Sequence, residues 1–243
     1  MKVVALVQAR MGSTRLPGKV LMDLGGETVL GRVLNRLRRT HLIQEIVVAT
    51  TTSVPDVAIA QECVRLGIPF FRGSECDVLD RYYRAARECQ AKAVVRITAD
   101  CPLIDPELVD DTVRSFLQQH ADYASNVAPR TYPRGLDTEI FSATALERAW
   151  REARSSYERE HVTPYIYEHP QRFKLIAVRG QTDYSCHRWT LDAPEDLQLL
   201  RAIYSRFDNQ DDFGWRDVIA LMKREPQLSE LNSQVLQKAS CGD

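Results

Sequence analysis

The chain of 243 residues has a net charge of −1, with 44% hydrophobic and 27% charged residues. This composition is ordinary for a soluble globular protein, and the near-neutral charge excludes an overall basic field that would attract nucleic acid or an anionic membrane. No apolar stretch reaches the 18 residues of a membrane-spanning helix, and the residues after Met1-Lys2 do not form a cleavable signal. Six scattered cysteines without a C-x-x-C pair predict neither a disulfide framework nor a zinc site, which favours the cytoplasm.

The first half of the chain alternates apolar runs with amphipathic segments. In chain order we predict a strand at 3–7, a helix at 29–37 capped by Thr28, a strand at 46–49, a helix at 56–66 ended by Gly67, a strand at 68–71, a helix at 78–89, a strand at 93–97 and a helix at 105–119 opened by Asp105-Pro106. This alternation predicts βαβ units, and therefore an α/β, Rossmann-like fold with a mostly parallel sheet flanked by helices.

The second half is less regular. It predicts a strand at 138–141, a helix at 143–153, a helix at 159–168 interrupted by Pro164, strands at 173–178 and 186–191, and helices at 193–206 and 215–223. Because no repeat or flexible linker divides the chain, we predict one domain over residues 1–225. The irregular segment 126–188 is interpreted as an arm or lid on that domain, and 226–243 as a polar tail that frays from residue 227.

The loop that follows the first strand has the composition of an anion site. It reads Gln8-Ala9-Arg10-Met11-Gly12-Ser13-Thr14-Arg15-Leu16-Pro17-Gly18-Lys19. Its two glycines allow backbone N–H groups to approach a phosphate, and its three cations supply positive charge. It is not a Walker A motif, because five residues separate the glycines and Val20 follows the lysine. The alternative is a solvated basic loop, which its position directly after an N-terminal strand disfavours.

Two carboxylates follow predicted strands and precede helices that begin with proline. Asp100 follows the strand at 93–97, and Asp192 follows the strand predicted at 186–191. The carboxyl ends of strands in an open α/β sheet line one crevice, and Mg²⁺ prefers one or two carboxylates together with water and substrate phosphates. The alternative for each is an aspartate that caps a helix. The phosphate-type loop favours the magnesium site.

A series of motifs along almost the whole chain resembles the sugar cytidylyltransferases, which include the CMP-Kdo and CMP-N-acylneuraminate synthetases. The first motif is Ala9-Arg10 to Lys19, which is similar to the family signature A-R-x-x-S-[TK]-[RG]-[LI]-P-G-K. The others begin at Arg72, Asp80, Thr98, Arg134, Arg159 and Arg188, and read RGS, DR, TADCPLI, RGLDTE, REHVTPY and RWTLDAPEDL. The last three are most similar to the spore-coat polysaccharide branch.

This resemblance implies that CTP and an acidic, nonulosonic acid-like sugar react to give a CMP-sugar and pyrophosphate, for cell-surface polysaccharide biosynthesis. It also implies a nucleotide-diphospho-sugar transferase type of fold, with a smaller dimerisation and sugar-binding arm. By this likeness Arg15 and Lys19 are catalytic, and Asp100 and Asp192 hold Mg²⁺. The implied nucleotide-binding residues are Ala9, Arg10, Gly12 and Ser13 around the triphosphate, and Gly73, Ser74 and Arg81 around the cytosine and ribose.

The departures from the family pattern leave alternatives open. The Kdo enzymes have S-G-T-[DE]-R after the third strand, whereas this chain reads Cys76-Asp77-Val78-Leu79-Asp80-Arg81. The sugar-binding motifs also differ, and the candidates on that side are Arg134, Glu139 and His161, each of which has an ordinary alternative as a turn arginine, a solvated glutamate or a helix-capping histidine. The alternative functions are a nucleotidyltransferase for another nucleotide or acceptor, and a non-catalytic nucleotide-sugar-binding relative.

The arm segment is rich in aromatic residues. They are Tyr132, Trp150, Tyr157, Tyr165 and Tyr167. Because the predicted strands of the segment are too few and interrupted to bury these rings, and because interfaces are enriched in aromatic residues, we predict a homodimer that associates through residues 126–188. The alternative is a monomer whose arm folds on its own sheet.

Overall fold

The structure, a computed structural model, describes residues 1–236. This part of the chain contains a seven-stranded sheet in the order β3-β2-β1-β4-β6-β5-β7. The strands are β1 (Val3–Gln8), β2 (Glu45–Thr51), β3 (Phe70–Gly73), β4 (Ala93–Thr98), β5 (Tyr123–Ser125), β6 (Glu139–Ser142) and β7 (Leu175–Ala177). Neighbouring strands are parallel except at β6, which is antiparallel to β4 and β5. The predicted α/β fold with a mostly parallel sheet is confirmed.

Nine α-helices accompany the sheet within the described residues. They are α1 (Val29–Leu37), α2 (Val57–Leu66), α3 (Val78–Glu88), α4 (Pro106–Gln118), α5 (Ala143–Glu152), α6 (Ser156–His161), α7 (Pro164–Tyr167), α8 (Pro194–Arg206) and α9 (Trp215–Arg224). Short 3₁₀ helices lie at Lys19–Leu21, Val54–Asp56 and Pro226–Glu230. No helix of the described chain is long and apolar enough to cross a bilayer.

The predicted helix boundaries of the first half have the expected local causes. Thr28 accepts a hydrogen bond from the Gly31 amide at the start of α1, and Asp105 accepts one from Leu108 at the start of α4. Gly67 ends α2 with a φ of 64°. That left-handed conformation favours glycine because it has no Cβ.

Apolar side chains pack on both faces of the sheet. On one face, alternate β1 residues such as Val3 and Val7 pack with Leu30, Ile59 and Val113 of the helices. On the other face, Val4 and Leu6 pack with residues of α3 and α5. A third apolar cluster lies around α8 and α9 and includes Trp189. A sheet covered on both faces explains why its central strands are nearly continuous in apolar residues.

Two secondary-structure predictions are wrong in the second half, and one strand was missed. Residues 186–191 form no strand, although Trp189, Thr190 and Leu191 are all buried. Trp189 and Leu191 pack in the third apolar cluster, and the backbone makes only an isolated bridge between Arg134 and Arg188. The strand β5 was not predicted, because three residues are too few to show a period. The helix predicted at 159–168 is two helices, which are separated where Val162 has a φ of 72°.

The segment 126–188 contributes directly to the sheet. It contains β6, which lies between β4 and β5, and the edge strand β7. Its role as an arm or lid stays a prediction for the residues outside these strands. The tail does not fray where the structure describes it, because Leu228 and Asn232 are buried. Residues 237–243, the remainder of the predicted tail, lie outside the described residues.

Candidate active site

The loop after β1 is held in shape by its own backbone. The Gly18 and Ser13 amides donate to the Met11 carbonyl over 3.0 and 2.9 Å. Gly18 has a φ of 72° and directly precedes the 3₁₀ turn that contains Lys19. The buried carboxylate of Asp56 accepts a hydrogen bond from the Met11 amide at 2.7 Å. The loop is therefore closed by glycine geometry and is anchored to the 3₁₀ helix that precedes α2.

Lys19 joins the two predicted metal carboxylates. Its ammonium nitrogen lies 2.6 Å from Asp100 Oδ2 and 2.8 Å from Asp192 Oδ1, and it donates to the Leu191 carbonyl at 2.7 Å. Burial lowers the pKa of Lys19, but the two carboxylates outweigh burial and raise the pKa above its ordinary value. Lys19 is therefore a buried cation, although it follows directly from a loop.

Asp192 is brought to this position without a strand. The Leu191 amide donates to the Asp100 carbonyl at 2.8 Å, which fixes the two chain segments side by side. Arg15 Nη2 lies 2.9 Å and Arg188 Nη2 lies 2.6 Å from Asp192 Oδ2. Burial alone would raise the pKa of Asp192, but Lys19, Arg188 and Arg15 together lower it to about 2. Asp192 is therefore ionised throughout the physiological pH range.

A cavity of about 240 Å³ opens onto these groups. It brings together six predicted site residues, namely Arg10, Ser13, Arg15, Lys19, Asp100 and Asp192. Ala9 does not line this cavity, because it is buried and its amide donates to the Ala49 carbonyl. Gly12 is exposed beside the cavity residues of the same loop. The roles of Ala9 and Gly12 at the nucleotide stay predictions.

The donor set fits a hard divalent cation. Carboxylate oxygens of Asp100 and Asp192 both lie within 2.8 Å of the same ammonium nitrogen, so both can reach one cation. The described residues hold no group of three or more His, Cys, Asp or Glu side chains that could bind a metal. Two carboxylates with remaining positions for water and phosphate oxygens match the usual protein environment of Mg²⁺. The pair could therefore hold Mg²⁺ together with a substrate phosphate.

The predicted base-binding residues form a second group at the end of β3. The Arg81 side chain is 0% exposed, and its Nη1 donates to the Ser74 carbonyl at 2.5 Å. Its Nε and Nη2 have no hydrogen-bond partner among the described residues, and burial lowers the pKa of Arg81. A Cβ on Gly73 would lie 2.8 Å from a ring carbon of Phe71 and 3.0 Å from Arg81 Cγ, so only glycine leaves this guanidinium its place.

The three sugar-side candidates do not line the cavity. Glu139 is buried, forms an ion pair with Arg96, and accepts hydrogen bonds from Tyr123 at 2.6 Å and Thr163 at 2.8 Å. The alternative, that Glu139 is an ordinary solvated glutamate, is therefore wrong. Burial lowers the pKa of His161, whose ring lies 4.8 Å from the ring of Tyr157.

Among the three candidates, Arg134 has the fewest side-chain contacts with the described residues. Its side chain is half-buried and has no hydrogen-bond partner within residues 1–236, and burial followed by the neighbouring Arg130 lowers its pKa. The role of each of the three candidates at the sugar stays a prediction.

Three residues of the site were missed by the sequence analysis. Asp56 anchors the phosphate loop, and Arg188 and Asp196 support Asp192. Asp196 occupies the third position of a helix that begins with proline, where a carboxylate commonly accepts hydrogen bonds from preceding amides. That position was a usable signal, whereas nothing local marks Asp56 or Arg188.

Comparison with known proteins identifies the family of the chain. The family model described as Cytidylyltransferase matches residues 4–224. The chain belongs to the cytidylyltransferase family. It is 32% identical to the spore coat polysaccharide biosynthesis protein SpsF of Bacillus subtilis, over 93% of this chain and 96% of that protein. It is 30% identical to a 3-deoxy-manno-octulosonate cytidylyltransferase of Bradyrhizobium, over 83% of this chain and 85% of that protein.

The fold of this cytidylyltransferase family member is also found in solved structures. A cytidylyltransferase from Leptospira borgpetersenii superposes with a TM-score of 0.91 at 37% identity, and the match covers 98% of this chain and 99% of that one. The predicted resemblance to the sugar cytidylyltransferases is confirmed at the level of the family.

Proposed function

We propose that this protein transfers a cytidylyl group from CTP to an acidic sugar for cell-surface polysaccharide biosynthesis. The observation that carries the proposal is the cluster of Lys19, Asp100 and Asp192 at the carboxyl end of the sheet, in one cavity with Arg10 and Arg15. Phosphoryl-type transfer depends mainly on positioning and on stabilising negative charge, which this arrangement of fixed cations supplies. The sugar character of the acceptor is supported by the names of the two relatives.

The reaction joins a sugar hydroxyl oxygen to the α-phosphorus of CTP. The bond between that phosphorus and the oxygen bridging to the β-phosphorus breaks, pyrophosphate leaves, and the hydroxyl proton passes to solvent. Lys19 and Arg15 bind the phosphate oxygens on which negative charge builds up. Mg²⁺ bound by Asp100 and Asp192 would neutralise phosphate charge and lower the pKa of the attacking hydroxyl.

Nucleotide selection is assigned to Arg81. A buried guanidinium with two open donor atoms is costly unless a ligand satisfies them, and the carbonyl oxygen and the N3 atom of cytosine are suitable acceptors. Gly73 and Ser74 complete this side, because Ser74 fixes Arg81 and Gly73 leaves it room. Arg134 is the proposed contact for the sugar carboxylate, since its charge is unpaired among the described side chains.

The homodimer is retained as a proposal, but its original physical reason is wrong. Within the described chain, Trp150 stacks on Tyr83 with ring centroids 4.1 Å apart, Tyr165 is buried, and the hydroxyls of Tyr157 and Tyr167 lie 3.2 Å apart. The arm rings therefore pack within their own subunit.

We also propose that the reaction takes place in the cytoplasm, where the five described cysteines, all free, would stay reduced.

A panel of substrates tests the proposed function. Pyrophosphate release should require CTP, Mg²⁺ and an acidic sugar together, and should be much slower with ATP, GTP or UTP, or with a neutral sugar. The matched control is Lys19→Ala, which removes the central cation of the cavity. Equal rates with all four nucleotides would indicate a different nucleotidyltransferase, and no release with any pair would indicate a non-catalytic relative. Light scattering checks the dimer against the chain mass of 27.7 kDa.

A further inference from the structure

The C-terminal segment returns from α9 to the active site. We call residues 226–236 the C-terminal strap. It begins with the 3₁₀ helix Pro226–Glu230, and its Leu228 is buried in the third apolar cluster. Asn232 of the strap is a polar residue that is only 6% exposed. A side-chain amide is buried at little cost only where its donors and acceptors are used, so its partners indicate what it does.

Asn232 contacts two residues that surround Asp192. Its Nδ2 donates to the Arg188 carbonyl at 3.0 Å and to Asp196 Oδ1 at 2.8 Å. Arg188 is the residue whose guanidinium lies 2.6 Å from Asp192 Oδ2. The strap thus reaches, through one amide group, both the backbone of the arginine that pairs with Asp192 and the carboxylate of Asp196.

Asp196 fixes the backbone that carries Asp192. Its side chain is 1% exposed, and its Oδ2 accepts hydrogen bonds from the Asp192 amide at 2.9 Å and the Ala193 amide at 3.0 Å. Its Oδ1 also accepts from Arg188 Nε at 3.1 Å. A buried carboxylate keeps one orientation only while its donors hold it there. If Asn232 is replaced, Asp196 keeps only its donors from residues 188–193 and loses the one that comes from the strap.

A second contact links the strap to Arg15, in the loop after β1. Arg15 Nη1 donates to the Leu236 carbonyl at 3.3 Å, while Arg15 Nη2 pairs with Asp192 at 2.9 Å. The strap therefore contacts both arginines that hold Asp192. Neither contact involves Asp100 or the Lys19 ammonium.

We propose that Asn232 is a positioning residue for Asp192, and that the C-terminal strap is a working part of the active site. Asn232 does not touch substrate; it fixes Asp196 and Arg188, which fix the carboxylate that the proposed function assigns to Mg²⁺. Residues that orient a metal-binding side chain commonly change metal affinity or activity by about 10-fold to 100-fold when they are replaced. The inference rests on the proposed function for its catalytic consequence, but not for the positioning itself.

Hydrogen–deuterium exchange on the free protein tests the positioning directly. The Asp192 and Ala193 amides both donate to Asp196. In Asn232→Ala these two amides should exchange about 10-fold faster, while amides in the central strands β1 and β4 keep their wild-type rates. Ser233→Ala is the matched control, because Ser233 is the exposed neighbour whose hydroxyl bonds only within the strap. Asn232→Ser, which keeps a short donor, should give an intermediate rate and serves if the alanine variant does not fold.

The catalytic consequence has a separate measurement. The Mg²⁺ concentration for half-maximal pyrophosphate release should rise about 10-fold in Asn232→Ala, with the Ser233→Ala value unchanged. Unchanged exchange at Asp192 and Ala193, or equal acceleration of all amides, would overturn the positioning role. If the wild-type protein releases no pyrophosphate at all, the proposed function fails, and the exchange result still decides whether Asn232 holds the Asp192 backbone.

Discussion

Two regions of this protein differ in how their polar groups are used: the proposed phosphate side, around Lys19, Asp100 and Asp192, and the proposed sugar side, around Arg134, Glu139 and His161. On the phosphate side, Lys19 pairs with Asp100 and Asp192 beside one cavity, and Arg15 and Arg188 also pair with Asp192, so a ligand phosphate or cation can exchange with contacts already present. On the sugar side, Glu139 is held by Arg96, Tyr123 and Thr163 in the centre of the sheet. The difference teaches that a polar residue of a family motif can bind a ligand only where its side chain faces a cavity and is not already held by protein partners away from it.

The largest effect is expected from Lys19. Lys19→Ala should lower kcat by about 10²-fold to 10³-fold, the size typical of losing one electrostatic stabiliser of a transition state. The same change leaves two partly buried carboxylates without their shared cation, so thermal unfolding should also move to lower temperature. Lys2→Ala is the matched control, because Lys2 also pairs with a carboxylate, that of Glu45, but far along β1 from the cavity. A turnover close to wild type in Lys19→Ala would show that the cation of Lys19 does not stabilise the transition state.

Asp100 and Asp192 should have similar effects on the Mg²⁺ requirement but different effects on stability. Asp100→Asn and Asp192→Asn should each raise the Mg²⁺ concentration needed for half-maximal activity by about 10-fold or more, because an amide lacks the charge that holds a hard cation. Asp192→Asn should have a further cost in stability, because Arg15 and Arg188 also lose their partner. Both quantities are measured by Mg²⁺ titration and by thermal unfolding. Wild-type Mg²⁺ dependence in both variants would show that the aspartates are structural.

A pair of substitutions separates ligand residues from structural ones on the sugar side. Arg134→Ala should raise KM for the sugar about 10-fold and leave KM for CTP unchanged, since one charged contact is worth about 1.5–3 kcal/mol. Glu139→Gln should instead lower the free energy of unfolding by about 1–3 kcal/mol, because Arg96 would be left buried without its counter-charge. Steady-state kinetics and denaturant titration distinguish the two. A sugar-specific KM defect in a stable Glu139→Gln protein would reverse this assignment.

The same contrast explains how much could be predicted from the sequence. The sheet, its first four strands and the phosphate loop were predictable, because apolar runs, Gly18 and the clustered cations are local signals. The structure brings Asp100 and Asp192 together, as expected, but Asp192 follows no strand; it follows a segment held by one bridge and the Leu191-to-Asp100 hydrogen bond. Their role as magnesium ligands stays a prediction. The support from Asn232 was not predictable. Asn232 lies in a tail of polar composition, and its partners Asp196 and Arg188 precede it by 36 and 44 positions in the chain.

The smallest effect is a pH dependence of stability that belongs to Asp192. Its pKa is about 2 in the folded protein, compared with an ordinary value of 3.8. Because the folded pKa is the lower one, the folded state binds the proton less tightly than the unfolded state, and ionised Asp192 stabilises the fold above about pH 4. That contribution is lost as the pH falls from about 4 to 2. Asp192→Asn should therefore lose less stability than wild type across this interval, although it is less stable at pH 7.

Denaturant titration at pH 7, 4 and 3 measures this difference, and Asp111→Asn is the matched control. Asp111 also pairs with an arginine, Arg114, but both side chains are largely exposed, and exposed ion pairs contribute little. Its substitution should leave the pH dependence of stability as in wild type. If Asp192→Asn and wild type lost equal stability between pH 4 and 3, the carboxylate would not be held by Lys19, Arg188 and Arg15 in solution. The carboxylate of the proposed phosphate side would then not be held in place before a ligand binds.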